Sequence, residues 1–172
     1  MGFFRDLERG KIGEEIFIKQ AKRYFGTVMD FRGTQIEKDF DVDFAVPWSN
    51  YYDNYYMDWL KVEVKTDYQA HKTGNLCFEY TSAEKDNYVG EGCFMKTDAD
   101  LILYYLYETN YVYAMHPDIL KTFVLDNKEK WISRRNDKHG LLYLVPLKIL
   151  VENGIAKKIN FKCTNVFRTL MA

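Results

Sequence analysis

Charged and apolar residues alternate along Asp41-Val42-Asp43-Phe44-Ala45-Val46 and again along Leu60-Lys61-Val62-Glu63-Val64-Lys65. A period of two belongs to a β-strand with one face in a core. Glu63 and Lys65 then share a face, and pairing of the two strands brings Asp43 beside them. Upstream, residues 12–25 carry a helical period instead. Phe17, Ile18, Ala21 and Phe25 follow Glu14 along an apolar stripe, while Lys19 and Lys22 follow Glu15 on a wetter face. Gly10 and Gly13 stand near the predicted start of this helix, and Gly26 closes it. Glu14 thus points along the core side, where an acid is costly without a partner. The plainer reading is that Glu14 and Glu15 only complement the positive end of the helix dipole.

The rest of the pattern predicts mostly strands. Residues 27–32 read as a first strand, 41–46 as a second and 59–65 as the central one, with an aromatic, polar loop over 48–59. Residues 67–75 turn, 76–80 return as a strand, and 82–92 read as a loop. Residues 101–107 and 111–115 form a hairpin across Glu108-Thr109-Asn110. Pro117 opens a helix over 118–124. Residues 131–135 and 140–144 are strands, and Pro146 starts a helix that Gly154 ends. No repeat, low-complexity tract or linker divides the chain, so residues 1–172 read as a single α/β domain.

Composition narrows the function classes. With 172 residues and 47% hydrophobic content the chain can bury a full core. It has no apolar run of the roughly 20 residues needed to cross a bilayer. Its start, Met1-Gly2-Phe3-Phe4-Arg5-Asp6, meets charge too early for a signal peptide. Cys77, Cys93 and Cys163 fit neither a zinc site nor a disulfide framework, which points to a reduced, cytoplasmic protein. The net charge of −1 lacks the overall basic footprint of a nucleic-acid binder. A metal ion offsetting clustered acids would change that local balance.

Two carboxylates and an ammonium on one sheet edge suit a hard divalent cation acting on a phosphate. The acid-x-lysine triplet alone says little, since it recurs at Asp126-Asn127-Lys128 in a polar run that reads as a solvated helix end. Only Glu63-Val64-Lys65 lies in a β-patterned segment with an acid-bearing strand before it. The plain alternative is a strand whose outer face is simply charged.

A helix with Gly13-Glu14, then Asp41-Val42-Asp43-Phe44, then Val62-Glu63-Val64-Lys65 resembles the PD-(D/E)XK nuclease superfamily, including Holliday-junction resolvases and small phage-type endonucleases. Val42 stands where the motif's proline would be. Thr66-Asp67, Lys72-Thr73-Gly74-Asn75-Leu76 and Lys96-Thr97-Asp98-Ala99-Asp100 extend the similarity over residues 10–115. The resemblance implies a restriction-endonuclease-like fold, a mixed central β-sheet flanked by helices. It implies Asp43, Glu63 and the carbonyl of Val64 as ligands of Mg2+ or Mn2+, with Lys65 orienting water or stabilising developing charge. Glu14, or its neighbour Glu15, would reach the metal through water, and Asp41 is the rival to Asp43.

The expected activity is metal-dependent hydrolysis of DNA, by an endonuclease. The alternative is a non-catalytic nucleic-acid- or protein-binding domain on the same scaffold. Lys72, Lys96, Arg134 and Arg135 are the candidate DNA contacts, with Lys157, Lys158 and the loop residue His71 as further phosphate candidates. The resemblance allows a homodimer, and no membrane partner is expected.

Overall fold

The computed structural model describes the backbone of residues 2–48, 58–83, 89–136 and 140–172. Helix α1 (Gly2–Phe25) opens the chain and leads through β1 (Met29–Asp30) and α2 (Gln35–Phe40) to β2 (Phe44–Trp48) and β3 (Asp58–Asp67). Short elements follow: α3 (Ala70–Thr73), β4 (Asn75–Glu79), β5 (Thr81–Ala83), β6 (Val89–Glu91) and α4 (Cys93–Lys96). The hairpin β7 (Leu101–Leu106) and β8 (Tyr111–Met115) precedes α5 (Pro117–Asp126), a 3-10 turn (Lys128–Lys130), β9 (Ile132–Asn136) and β10 (Gly140–Pro146). Helix α6 (Leu147–Glu152), β11 (Ala156–Asn160) and α7 (Val166–Met171) complete it.

The class is mixed α/β. Six strands form the main sheet in the order β1-β2-β3-β7-β8-β11. Every neighbouring pair is antiparallel except β3 and β7, which run parallel. A parallel pair needs a long crossover, which here carries α3, β4, β5, β6 and α4; β9 and β10 join β4 later in the chain as a second sheet, β4-β10-β9.

Period-two alternation divides the core into two halves. On one face Phe44, Val46, Val62, Val64, Leu103 and Tyr105 meet Phe17, Ile18 and Ala21 of α1 and Phe167 of α7. On the other, Ile102, Tyr104 and Tyr113 meet Leu76 and Phe78 of β4, Phe94 of α4 and Leu147 of α6. Phe17, Phe44, Phe78 and Phe167 have no exposed surface, and each contributes about 2–3 kcal/mol of burial.

The helix 12–25 begins earlier than its pattern suggests, at Gly2, so Gly10 and Gly13 lie inside it. Gly13 is a packing glycine: a Cβ there would overlap the Thr66 hydroxyl and press the Tyr105 ring. Because α1 starts so far upstream, Glu14 is not in its first turn, and the helix-dipole reading of Glu14 and Glu15 is corrected. The negative end does carry Lys22 and Arg23, and Gly26 at φ 78° terminates it with its N–H on the Lys22 carbonyl.

The first strand shrinks to Met29–Asp30, and α2 fills residues 35–40, a stretch to which the pattern assigns no element. Thr34 caps α2, its hydroxyl accepting from the Glu37 N–H. Asp41 ends it in the left-handed region, at φ 52°, so β2 starts at Phe44 rather than Asp41. The 67–75 turn contains α3, and the 82–92 loop contains parts of the β5–β6 hairpin. The centres of the expected 48–59 and 82–92 loops, residues 49–57 and 84–88, lie outside the described residues. Among the described residues no helix is long and apolar enough to cross a membrane.

Candidate active site

The charged residues converge where β2 begins. The β2–β3 register sets Phe44 opposite Val62. Upstream of Phe44, the Asp41–Asp43 segment runs on beside Glu63 and Lys65, whose ammonium reaches both Glu63 and Asp41. Two backbone contacts hold the start of β2 there: the Asp43 N–H donates to the Val62 carbonyl at 3.0 Å, and the Val64 N–H donates to Asp43 Oδ2 at 2.7 Å. The even-numbered peptide groups of β3 therefore face β2. Since β2 proper begins at Phe44, the Val64 carbonyl faces the Asp41–Asp43 segment rather than a paired strand.

Among the described residues, Asp43 and Glu63 are the buried carboxylates, each 4% exposed. Lys65 Nζ lies 2.5 Å from Glu63 Oε1 and 2.8 Å from Asp41 Oδ2. Burial, then the charge of Glu14, pushes the Asp43 carboxyl up to about 7 against the pull of the Val64 N–H and Lys65. Burial also holds the Glu63 carboxyl well above the usual carboxylate range, with the Lys65 ammonium opposing it and Asp43 and Asp41 reinforcing it. Burial disfavours the charge on Lys65, but Glu63 and Asp41 outweigh it and raise its pKa. The cluster therefore concentrates more negative charge than its own lysine neutralises.

Glu14 reaches this cluster from α1 and is the strongest charge acting on Asp43. Its own carboxyl is raised by burial, and its Oε2 lies 3.7 Å from Arg32 Nη1. Arg32 is held by Asp30 through two bonds of 2.8 and 2.7 Å, which raise its pKa and lower that of Asp30. Glu15 points away, exposed and 3.8 Å from Lys19. Between the two rival glutamates, Glu14 is the one that joins the cluster. Of the rival aspartates, Asp43 is buried between the strands while Asp41 is the lysine's partner.

The Lys96-Thr97-Asp98-Ala99-Asp100 run clamps this corner. Thr97 Oγ1 donates to the Asp41 carbonyl at 2.8 Å and accepts from the Ala99 N–H. Asp98 pairs with Lys61 Nζ at 2.5 Å, and Asp100 Oδ2 accepts from the Lys61 N–H at 2.8 Å. The Lys96 ammonium donates to the Lys38 carbonyl on α2, so this candidate DNA contact is engaged within the fold. Lys72 is exposed on α3. Neither lysine joins the carboxylate cluster. Arg134 and Arg135 lie on β9, their backbones opposite Leu142 and Leu141, and their side chains lie outside the described residues, as do residues 137–139.

A cavity of about 240 Å³ opens beside Lys65, lined by Asp67, Cys77, Glu79, Cys93, Phe94 and Tyr104 among others. The Tyr104 hydroxyl donates to Asp67 Oδ2, and burial pushes the Cys93 thiol up to about 12 and Cys77 to about 11. Neither cysteine is poised as a thiolate nucleophile. Among the described residues no three carboxylate, imidazole or thiol side chains stand together as a ready-made metal cage. Arg32 carried no signal in the sequence, since it sits in a turn and meets Glu14 only through the fold. No protein-family model, curated protein or solved structure matches the chain.

Proposed function

We propose that the protein is a divalent-metal-dependent nuclease that hydrolyses DNA phosphodiester bonds, with the restriction-endonuclease-like arrangement that its sequence resembles. One observation carries this reading: two buried carboxylates, Asp43 and Glu63, lie close enough on adjoining segments for their charges to interact, with Lys65 paired to Glu63. Buried acids whose pKa values are raised by burial, with a specific charged partner, mark a candidate functional site, because burying them costs stability.

The donor set fits a hard cation. Asp43 and Glu63 would hold Mg2+ or Mn2+ with the Val64 carbonyl, and Glu14 would act on it through water. A bound ion would supply Lewis-acid stabilisation to the phosphate and its attacking water. The protein's own residues account for the rest. The Val64 N–H orients Asp43, the Asp41 carboxylate holds Lys65 in place, and the Lys65 ammonium directs its protons toward the reacting oxygens. Thr97 keeps the Asp41 backbone in register with β3, and Arg32 restrains Glu14.

A second reading has one observation in its favour. Lys65 already lies within ion-pair distance of both Glu63 and Asp41, so these carboxylates have a cation without any metal, as a binding domain on the same scaffold would require. A cleavage panel of single-stranded, duplex, nicked and branched DNA with Mg2+ and with Mn2+ decides between them, run beside Lys65→Ala and Glu63→Gln. Cleavage of at least one substrate that both variants lose supports the nuclease. No cleavage of any substrate, or variants that cut at the wild-type rate, rejects this assignment.

A further inference from the structure

A second cavity, larger than the one at Lys65, lies elsewhere on the molecule. It measures about 540 Å³ and opens between α3, α6 and the ends of β8 and β11, within the size range of small-ligand pockets. His71, Tyr111, Tyr113, Lys148, Glu152 and Lys158 supply its polar and aromatic lining. Lys158 Nζ lies 4.0 Å from the centre of the Tyr111 ring and 6.0 Å from that of Tyr113. Lys158 takes part in none of the ion pairs formed among the described residues. Lys148 and Glu152 pair with each other at 3.6 Å on the exposed face of α6, so the unneutralised charge at the rim is positive. An ammonium without an acid, beside a half-exposed tyrosine face, suits a ligand with a flat ring and an anionic group.

The position of the cavity says which such ligand. Tyr113 lines it, and the cross-strand neighbour of Tyr113 is Tyr104, which lines the smaller cavity beside Lys65. The two openings thus lie on the same sheet face, one strand apart, about 5 Å in the hydrogen-bonding direction. Helix α3, whose Ala70 and His71 form part of the rim, follows β3 directly. The step from Lys65 to Ala70 spans at most about 17 Å of chain, a length that a few nucleotides of backbone cover. We infer that this cleft binds one nucleotide unit of a single-stranded nucleic acid. The base stacks on Tyr111, and the phosphate lies on Lys158 with His71 at the rim. The assignment rests on the nuclease reading for its choice of a strand over a free nucleotide, but the binding itself needs no metal.

Fluorescence anisotropy with a short labelled oligothymidylate in EDTA tests it on the full chain. Lys158→Glu and Tyr111→Leu should each weaken binding about tenfold, the scale of one phosphate contact and one stacked base. Lys19→Ala, at an exposed residue on α1 that lines neither cavity, should bind like the wild type. Thymidine monophosphate should compete only at far higher concentration than the oligomer. Lys158 and Tyr111 are exposed, so circular dichroism should stay native; if Lys158→Glu does not fold, Lys158→Gln is read in its place. Unchanged binding in both variants, or no oligomer binding by the wild type, overturns the inference. Equal affinity for the monophosphate and the oligomer overturns the strand assignment and makes this a free-nucleotide site. A chain that binds here but cuts nothing keeps the cleft and loses the nuclease; one that cuts but ignores both substitutions does the reverse.

Discussion

Replacing Asp43 with asparagine should stabilise the metal-free protein above neutral pH. The carboxyl is 4% exposed and titrates at about 7 rather than its ordinary 3.8, mainly through burial and then the charge of Glu14. At about 1.4 kcal/mol for each pH unit, that displacement sets an upper bound of about 4 kcal/mol on the cost of ionising it in the fold. Relaxation of the corner lowers the expected gain to about 2–4 kcal/mol, or about 5–10 °C in Tm for a chain of this length. Asparagine keeps the side-chain oxygen that accepts from the Val64 N–H, so little else changes. The folded pKa lies above the unfolded one, so the wild-type carboxyl costs nothing below about pH 4 and its penalty develops as pH rises through about 7. Urea unfolding in EDTA, followed by tryptophan fluorescence at pH 4, 6 and 8, measures the difference. The two proteins should match near pH 4 and diverge by pH 8, with asparagine the more stable. A variant that is less stable at pH 8, or a difference that does not change with pH, would refute this account of Asp43.

Three further outcomes are expected. Mn2+ or Mg2+ at millimolar levels should raise the wild-type Tm at pH 8 in a thermal-shift assay and leave Asp43→Asn unmoved; an equal shift in both proteins places the ion elsewhere. Lys65→Met should destabilise by about 3 kcal/mol at pH 8, because it strands Glu63 beside Asp41 without a cation. That loss should shrink as pH falls and the carboxyls take up protons, and urea midpoints at two pH values read it. Gly13→Ala should cost about 1–3 kcal/mol by forcing a methyl group onto the Thr66 hydroxyl, and adding Thr66→Ala should restore most of it; a double-mutant cycle with no coupling would show that the helix shifts instead.

Much of the chemistry was legible along the chain because β-strands have a period of two. That period puts Glu63 and Lys65 on one face whatever surrounds them, and the entry into β2 holds Asp43 nearby, where its carboxylate accepts from the Val64 N–H. The amphipathic stripe of α1 likewise announced Phe17, Ile18 and Ala21 as core, and Pro117 and Gly154 marked helix ends by backbone sterics alone. Local pattern misjudged features that depend on distant partners. Gly13 resembled a helix start because nothing nearby shows that Thr66 must pass where its side chain would be. Helix α2 has no buried residue to announce it, and its end is tied down by Thr97 and Lys96, more than fifty positions away.

The order of residues thus determined which side chains carry charge, which strands carry them and which faces they share. Tertiary structure alone decided that Glu14 and Arg32 join them, that Asp41 serves Lys65, and that Tyr111 and Lys158 meet over a second cavity. The physical reason is one of range. Backbone periodicity acts over a few residues, whereas burial, and the charge interactions that burial strengthens, depend on segments that meet only when the sheet has formed.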